Sequence, residues 1–348
     1  MRYGPHPTNP FEWLAFRMGV VPLPILDVVL GPIQTRALVA AERAGLLAEL
    51  AARPATAAEL AKARGLDAEC TRLVLRVLRA MGYVDLDGDR FALSPTGRAY
   101  FAPEAKESYR AFVEYGAPQW DMVSKLDEVL KTGAGVDFHE HHTADEWDVY
   151  QRAMIENARA FAWFVVDNTP VPAGATRLID VAGAHGFVGA ELCRKHPGLR
   201  STVVDRAEAL PRARAIAEEG GWSDVVSFRE GDLRAGDLGE DGDVMLLCNI
   251  LHHFPADVNV DALTRVKRAL RPGGTVAIFD IETPTDDAKP DAAGDAFALY
   301  FRITSTSTCF RGDDYVDWLR GAGFVDARIT RSVKMPSRVL VTARTPTA

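Results

Sequence analysis

The sequence predicts an α/β protein in which a mainly helical region precedes a domain with a mostly parallel sheet. From residue 171 onward, short apolar runs alternate with helical patterns, which is the rhythm of βαβ units. The first of these runs ends in a glycine-rich turn, as nucleotide-binding sheets do. Before residue 171 the apolar spacing is helical over most of the chain, which favours a separate helical region.

The composition is ordinary for a globular protein with one large or two medium domains. The chain has 348 residues, 47% hydrophobic and 25% charged. Its net charge of −8 argues against a nucleic-acid partner, which requires a basic face. Four scattered cysteines without a C-x-x-C spacing indicate reduced thiols in a cytoplasmic protein. We see no signal pattern and no apolar run of membrane-spanning length, so no membrane partner is predicted.

Residues 1–103 are assigned to an N-terminal winged-helix and dimerisation domain. Residues 1–21 are too apolar for a free tail and are expected to pack on something, such as a partner subunit. Thr56 and Glu59 have the spacing of a capping box, and Asp67 is placed to cap a second helix. Alternating runs on both sides of residues 87–89 predict a hairpin. Two helices and a hairpin make a winged helix.

Arginines also follow one face of the second helix in that domain. Arg72, Arg76 and Arg79 have helical spacing, and winged helices often bind DNA. A solvated helix face explains the same pattern more simply, because acidic residues stand at the start of this helix. We therefore expect a domain for dimerisation and substrate covering, and we keep a transcription regulator as the least favoured alternative.

Residues 104–170 are predicted to be a helical linker with substrate-pocket helices. The unusual run from Phe138 to His142 has three histidines and a glutamate, which suggests a metal site, a pocket lining or a solvated loop. Its spacing fits no standard helical metal site, so no metal is predicted. The following helix is rich in aromatic residues, which are expected to be mainly core. Trp163 is a candidate substrate contact.

The stretch from Leu178 to Asp205 carries the strongest signal for a ligand. Gly183 and Gly186 allow the backbone to approach a ligand closely, and the following helix N-terminus favours a negative group. Asp205 ends the next strand, where an acid can accept ribose hydroxyls. A nicotinamide dinucleotide fits less well, because the spacing is not G-x-G-x-x-G and Asp180 would repel a pyrophosphate. Asp180 can instead receive an ammonium group, which S-adenosylmethionine carries.

Polar residues stand where successive predicted strands end, and such ends border the ligand crevice of an open α/β sheet. They are Asp180, Asp205, Asp232, Asn249, His252 and Asp280.

The order of these motifs resembles that of class I S-adenosylmethionine-dependent methyltransferases. They comprise residues 180–186, Asp205, residues 231–233, residues 249–252 and Arg271-Pro272-Gly273-Gly274. With the winged helix, the chain resembles the caffeate and acetylserotonin O-methyltransferase family and its bacterial natural-product relatives from about residue 25 to 343. The resemblance implies a Rossmann-like, mostly parallel seven-stranded sheet in a catalytic domain at 171–348, S-adenosylmethionine as cofactor and a homodimer formed through the N-terminal domain.

The resemblance also implies roles for individual residues. The implied cofactor contacts are Asp180, Gly183 and Gly186 at the methionine end, Asp205 at the ribose, Asp232 and Leu233 at the adenine, and Asn249 near the adenosine. His252 aligns with the catalytic base, and Asp280 with one of two carboxylates that orient it.

The chain departs from the family pattern at several positions. Ala182 and Ala184 replace glycines, which is tolerable if their φ angles are negative. His253 stands where the O-methylating enzymes usually have aspartate, and Cys309 stands near the place of the second orienting carboxylate. Because a histidine base needs a partner to fix its tautomer, Asp280 is the predicted partner of His252.

The predicted function is methyl transfer to a phenolic or acidic hydroxyl of a small molecule in secondary metabolism. His253, Tyr300, Arg302 and Trp163 are the candidate substrate contacts, with Arg302 explained equally well as a surface charge. Two further alternatives are kept. One is C- or N-methylation, with a variant of it that uses a metal held by His252 and His253. The other is a cyclase or rearrangement enzyme that binds S-adenosylmethionine without transferring methyl.

Overall fold

The computed structural model describes residues 7–140, 143–283 and 291–347, without the side chains of Glu140 and Ala144. The chain forms two compact units, one up to Gln119 and one from Trp120 onward. The division falls inside the helix Arg110–Val123. The domain boundaries at residues 103 and 170 stay predictions.

The first unit is mainly helical and contains the predicted hairpin. Its helices are α1 (Pro10–Arg17), α2 (Leu23–Ile25), α3 (Gly31–Arg43), α4 (Leu46–Ala52), α5 (Ala57–Arg64), α6 (Ala68–Ala80) and α7 (Pro95–Phe101), and a π-helical turn at Leu26–Leu30 joins α2 to α3. Its strands are β1 (Ala55–Thr56), β2 (Val84–Asp87) and β3 (Arg90–Leu93), with β3 in the middle of the sheet. The predicted pair of helices and the hairpin after them are confirmed.

Local hydrogen bonds explain where the two predicted helices begin. The Glu59 N–H donates to Thr56 Oγ1 at 3.2 Å, and the Thr56 N–H donates to Glu59 Oε2 at 2.9 Å, so the capping box of α5 is confirmed. Asp67 Oδ1 accepts from the Cys70 N–H at 2.7 Å and caps α6. The core packed beneath these helices includes the fully buried Leu47, Leu50, Leu75 and Leu78.

The N-terminal helices leave a large apolar surface exposed. The continuous helix Leu23–Arg43 has a mean hydropathy of 1.4, and only 11% of its most apolar window is buried. By length and composition alone it is able to cross a membrane, which differs from our expectation because polar residues such as Asp27 interrupt the apolar run without ending the helix. A single such helix is weak evidence for a membrane protein. Phe11, Met18 and Val28 are also 65–85% exposed.

The second unit is built on a seven-stranded sheet with helices on both faces. Its helices are α8 (Arg110–Val123, shared with the first unit), α9 (Leu126–Thr132), α10 (Ala144–Asn168), α11 (Phe187–Lys195), α12 (Leu210–Gly220), α13 (Ala256–Ala269), α14 (Ala292–Thr304) and α15 (Gly312–Gly321). Its strands are β4 (Arg177–Val181), β5 (Arg200–Asp205), β6 (Val226–Glu230), β7 (Gly242–Cys248), β8 (Leu270–Ile281), β9 (Val325–Ser332) and β10 (Met335–Arg344).

The order of the strands places the ligand crevice. The sheet has the order β6-β5-β4-β7-β8-β10-β9. β10 is antiparallel to both β8 and β9, and the other neighbours are parallel. The predicted α/β class with a mostly parallel seven-stranded sheet is confirmed. The chain leaves β4 toward β5 on one side and returns as β7 on the other, and ligands bind at such a switch point beyond the carboxyl ends of the strands.

Both faces of the central strands are buried, which explains their nearly continuous apolar sequences. Successive side chains of β7 point to opposite faces, and Val244 to Leu247 are all 0% exposed. Met245 and Leu247 enter one apolar cluster, whereas Val244 and Leu246 enter the other. The strands are thereby held from both sides, and the residues at their carboxyl ends sit on a rigid support.

Candidate active site

A cavity of about 290 Å³ lies beyond the carboxyl ends of β4, β5 and β7. Four of the seven predicted cofactor residues line it directly: Asp205, Asp232, Leu233 and Asn249. The opposite wall includes His139, Trp147, Tyr150 and His253. The structure therefore brings together residues that were predicted from separate strand ends.

The glycines of the loop after β4 are required by close contacts. A Cβ atom on Gly183 would lie 2.4–2.8 Å from the Asp180 carboxylate. Gly186 has a φ of +70°, and a Cβ there would meet Val226 and Val203 at 2.8 and 2.9 Å. Gly186 is also the N-cap of α11. The two glycines let the loop fold tightly over the end of the sheet.

The condition under which alanine would be tolerable at these two loop positions, a negative φ angle, is not met. Ala182 has a φ of 53° and Ala184 a φ of 48°, in the left-handed region that disfavours side chains. Their N–H groups are held by the neighbouring strand: Ala182 N donates to Val204 O at 2.8 Å, and Ala184 N donates to Asp205 Oδ2 at 2.9 Å. These two bonds keep the strained conformation and orient the Asp205 carboxylate.

Replacing Ala184 by glycine is expected to stabilise the protein. Glycine adopts positive φ without the side-chain penalty, and we expect a gain of about 0.5–1 kcal/mol after the extra entropy of the unfolded chain is subtracted. Thermal unfolding of the ligand-free protein measures this as a rise of about 1 °C in Tm. The control is Ala190→Gly in the buried middle of α11, which is expected to lower Tm. Equal decreases in Tm for Ala184→Gly and Ala190→Gly would show that the backbone of Ala184 is not strained.

Asp180 is a buried carboxylate without a described partner. It is 1% exposed, and neither of its carboxylate oxygens accepts a hydrogen bond of normal geometry from the residues that the structure describes. Burial, and then the charge of Asp205, raise the pKa of Asp180 to about 7, while the Gly189 N–H lowers it in part. A buried anion in this state gains strongly from a cationic ligand group.

Asp205 and Asp232 differ in the hydrogen-bond and charge partners that the protein already supplies to their carboxylates. Asp205 accepts from the Ala184 N–H and, at 2.8 Å, from the Arg206 N–H, but burial still raises its pKa. Burial alone would also raise the pKa of Asp232, yet the hydrogen bonds and charge of Arg234 lower it overall. Arg234 holds both Asp232 oxygens at 2.8–3.1 Å. Arg206 and Arg234 both line the cavity, and neither was predicted from the sequence.

His252 and Asp280 form a buried pair next to the cavity. His252 Nδ1 lies 2.5 Å from Asp280 Oδ1, with the two side chains 2% and 1% exposed. Asp280 also accepts from the Ile281 N–H at 2.7 Å, from the Tyr315 hydroxyl at 3.2 Å and from the His252 N–H at 3.3 Å. Four donors therefore surround the carboxylate. Because a carboxylate only accepts hydrogen bonds, Nδ1 of His252 must carry a proton, and this fixes the tautomer of the ring.

Comparison with known proteins identifies the family. The family model for the O-methyltransferase domain matches residues 121–325. The chain belongs to the O-methyltransferase family. It is 29% identical over 329 residues to the 3-hydroxy-5-methyl-1-naphthoate 3-O-methyltransferase of Streptomyces sahachiroi, covering 89% of this chain and 91% of that protein. It is also 29% identical to the tetracenomycin polyketide synthesis 8-O-methyl transferase of Streptomyces glaucescens, covering 88% and 92%.

A solved structure shows the same fold. The human N-acetylserotonin methyltransferase in complex with S-adenosylmethionine matches with a TM-score of 0.83 at 19% identity, over 96% of this chain and 98% of that chain. The family model and the two relatives confirm the predicted family, and the protein is an S-adenosylmethionine-dependent methyltransferase.

The residues of this O-methyltransferase fit the cofactor. S-adenosylmethionine supplies a methyl group on a positively charged sulfur and carries an ammonium group. The unpartnered Asp180 carboxylate suits that ammonium, and a side chain at Gly183 would leave no room beside it. Asp205 would accept ribose hydroxyls at the end of its strand, and Asp232 with Leu233 borders the same cavity. Asn249 has a φ of 54° at the end of β7 and a buried Oδ1 without a described partner.

The opposite wall of the cavity is aromatic. It includes Trp147 and Tyr150, which were not predicted as site residues. His139 Nε2 lies 3.2 Å from the Tyr150 hydroxyl, and Trp147 packs edge-on against Tyr150 with ring centroids 5.6 Å apart. Burial, and then the Tyr300 hydroxyl, raise the pKa of Tyr150, so it is a neutral hydrogen-bonding group. The helical periodicity of α10 indicated aromatic residues but not which of them face a ligand.

Of the four predicted substrate residues, only His253 lines this cavity. Tyr300 packs edge-on against Phe301, with ring centroids 5.2 Å apart. Arg302 donates instead to backbone carbonyls, at 3.2 Å to Thr306 and also to Gly133. It therefore links the loop after α14 to the loop after α9. Trp163 is 42% exposed and borders a separate open groove. The helix pattern did not resolve these directions, because α10 carries aromatic side chains on more than one face.

The histidine run before α10 is only partly described. His139 lies in the cavity wall, whereas the Glu140 side chain, His141 and His142 lie outside the described residues. Among the histidines, cysteines and acids that the structure does describe, no group of three or more is arranged to hold a metal ion.

Proposed function

We propose that this enzyme methylates a phenolic or acidic hydroxyl on a small aromatic natural product, with His252 as the general base and Asp280 as its positioning partner. The carrying observation is the buried pair of these two residues, 2.5 Å apart, beside a cavity that suits S-adenosylmethionine. Removal of the acceptor's proton and alignment of its oxygen with the methyl group supply the catalysis. A hydroxyl acceptor makes use of a base, whereas a carbon or amine acceptor has less need of one.

The cavity wall supports a planar acceptor. Trp147, Tyr150 and His139 present ring faces and edges in T-shaped and tilted pairs, and such surfaces bind flat apolar rings well. The two Streptomyces relatives are named for O-methylation of a naphthoate and in polyketide synthesis. We therefore propose fused hydroxyarenes as the first acceptor class to test.

The test is turnover of S-adenosylmethionine with 3-hydroxy-5-methyl-1-naphthoate and with matched naphthoates that lack the hydroxyl. Mass spectrometry and NMR of the product then locate the added methyl group. An O-methylated product from the hydroxylated compound alone supports the proposal. Methylation of carbon or nitrogen in a wider panel of aromatic amines and phenols, or turnover that releases no S-adenosylhomocysteine, contradicts it.

We propose further that the apolar N-terminal surface binds a second copy of this chain. Ile25, Val28 and Ile33 on the helix Leu23–Arg43 are 51–73% exposed, and so large an exposed apolar surface marks an interaction site. A dimer is expected in sedimentation at micromolar concentration, and Val28→Asp with Ile33→Asp is expected to give monomers. The matched control is Val333→Asp at the fully exposed turn between β9 and β10. A monomeric wild type, or one that binds phosphatidylglycerol vesicles through this helix, contradicts the proposal.

A further inference from the structure

Both ring nitrogens of His252 are already engaged. Nδ1 faces Asp280 at 2.5 Å, and Nε2 lies 3.1 Å from Nε2 of His253. Phe301 covers the ring, with centroids 3.6 Å apart, and His252 is not among the residues that line the cavity. An acceptor hydroxyl in the cavity therefore meets His253 before it meets His252.

The hydrogen bonds determine the tautomers of the two rings. The Asp280 carboxylate only accepts, so Nδ1 of a neutral His252 carries the proton and its Nε2 is an acceptor. Nε2 of His253 must then donate to it, and the remaining nitrogen, His253 Nδ1, has a free lone pair. This Nδ1 is buried and has no hydrogen-bond partner among the described residues. A buried hydrogen-bond acceptor without a partner costs free energy, and a hydroxyl that donates to His253 Nδ1 removes that cost.

The surroundings hold His253 in this position. Its backbone oxygen accepts from the Thr306 hydroxyl at 3.0 Å, and its N–H donates to Ile250 O at 3.1 Å. The His139 ring packs edge-on against it, with centroids 4.7 Å apart. His253 is thus fixed between the cavity and His252, as a proton relay requires.

We propose that His253 is the residue that contacts the acceptor and relays its proton to His252. The acceptor O–H bond breaks as its proton moves to His253 Nδ1, and the His253 Nε2 proton moves to His252 Nε2. The oxygen forms a bond to the methyl carbon, and the carbon–sulfur electron pair returns to sulfur. The positive charge of the sulfonium is lost, and an imidazolium remains on His252 beside Asp280. This inference rests on the proposed O-methylation.

The charges around the two rings give the relay a direction. Burial, and then His252 and His139, lower the pKa of His253 well below its ordinary value, so His253 is neutral near pH 7 and does not keep a proton. His252 instead has the Asp280 carboxylate against its ring, and the carboxylate stabilises a charge there. His253 therefore passes the proton inward.

The tautomers are testable without an acceptor. In ¹⁵N-histidine-labelled protein at pH 7.5, NMR is expected to show His252 protonated at Nδ1 and His253 protonated at Nε2, with His252→Gln and His253→Gln used for assignment. A His253 protonated at Nδ1, or at both nitrogens, overturns the relay. This result does not depend on which acceptor the enzyme uses.

Turnover tests the step itself, with 3-hydroxy-5-methyl-1-naphthoate as probe. His253→Phe keeps the size of the ring and is expected to lower kcat about 10²- to 10⁴-fold with S-adenosylmethionine affinity unchanged. His253→Ala is expected to recover activity with added imidazole, and His196→Gln at the end of α11 is the control. Retained kcat in His253→Phe overturns the relay. If the wild type methylates no hydroxyarene, the proposed function fails and the relay of a hydroxyl proton fails with it, whereas an active wild type with an unaffected His253→Phe overturns the relay alone.

Discussion

Asp280→Asn is expected to lower kcat by about 10²- to 10⁴-fold while S-adenosylmethionine still binds with nearly wild-type affinity. An amide presents both a donor and an acceptor, whereas the Asp280 site contains only donors: the His252 ring, two backbone N–H groups and the Tyr315 hydroxyl. An NH₂ group facing His252 Nδ1 would reverse the tautomer and place the proton on Nε2, where it blocks proton acceptance. Steady-state rates and calorimetric titration measure the two quantities separately.

The matched control for this prediction is Tyr315→Phe. It removes one hydrogen bond to Asp280 Oδ2, at 3.2 Å, but leaves the carboxylate and the His252 contact in place. A decrease in kcat of less than about tenfold is expected, in line with the loss of one hydrogen bond. If Asp280→Asn also stays within threefold of the wild-type rate, His252 is not the base.

The sequence was most informative where a feature depends on residues close together in the chain. The capping box of Thr56 and Glu59 and the hairpin around residues 87–89 follow from local spacing. The strand ends at Asp205 and Asp280 follow from the alternation of apolar runs and helices. The rules of parallel sheets then place those ends along one edge, so the cofactor side of the cavity was predictable.

The features that were missed depend on contacts between distant segments. The positive φ angles of Ala182 and Ala184 are held by hydrogen bonds to Val204 and Asp205 on the next strand, which no loop pattern reveals. Tyr315 reaches Asp280 from 35 positions away. Cys309 stands near the place of the second orienting carboxylate, but the Tyr315 hydroxyl supplies a further polar contact to Asp280 that no fixed position in the motifs predicts.

The direction of a side chain was the least predictable property. Trp163 and Tyr150 both belong to the aromatic pattern of α10, yet Tyr150 borders the cavity and Trp163 borders an outer groove. The adjacent residues His252 and His253 similarly differ in direction, because the short helical turn Leu251–His253 directs one ring toward Asp280 and the other toward the cavity. The two residues of each pair therefore differ in the direction of their side chains, which depends on the conformation at each residue and not on the residue type.

Asp180→Asn is expected to have opposite effects on cofactor binding and on the stability of the ligand-free protein. If the Asp180 carboxylate pairs with the ammonium group of S-adenosylmethionine, loss of its charge costs about 2–5 kcal/mol of binding, or roughly 30- to 5,000-fold in Kd. Calorimetric titration at pH 8 measures that loss. Asp243→Asn is the control, since Asp243 is equally buried but pairs with Arg271 at the other end of β7. It should leave Kd unchanged and lower stability.

The direction in which stability changes with pH follows from the raised pKa of Asp180. Burial raises the pKa of Asp180 from its ordinary value of 3.8 to about 7 in the folded protein. Between these values the unfolded chain is ionised while the folded one stays protonated, so the folded state binds more protons and stability falls as pH rises through this window. The wild type therefore loses stability relative to Asp180→Asn between about pH 4 and pH 7, by a few kcal/mol at most, and the difference is constant at higher pH. Thermal unfolding of both proteins at pH 5 and pH 8 tests this. A pH-independent difference between them would mean that Asp180 is not held as an unpaired buried acid, and it would remove the reason for assigning it to the ammonium group.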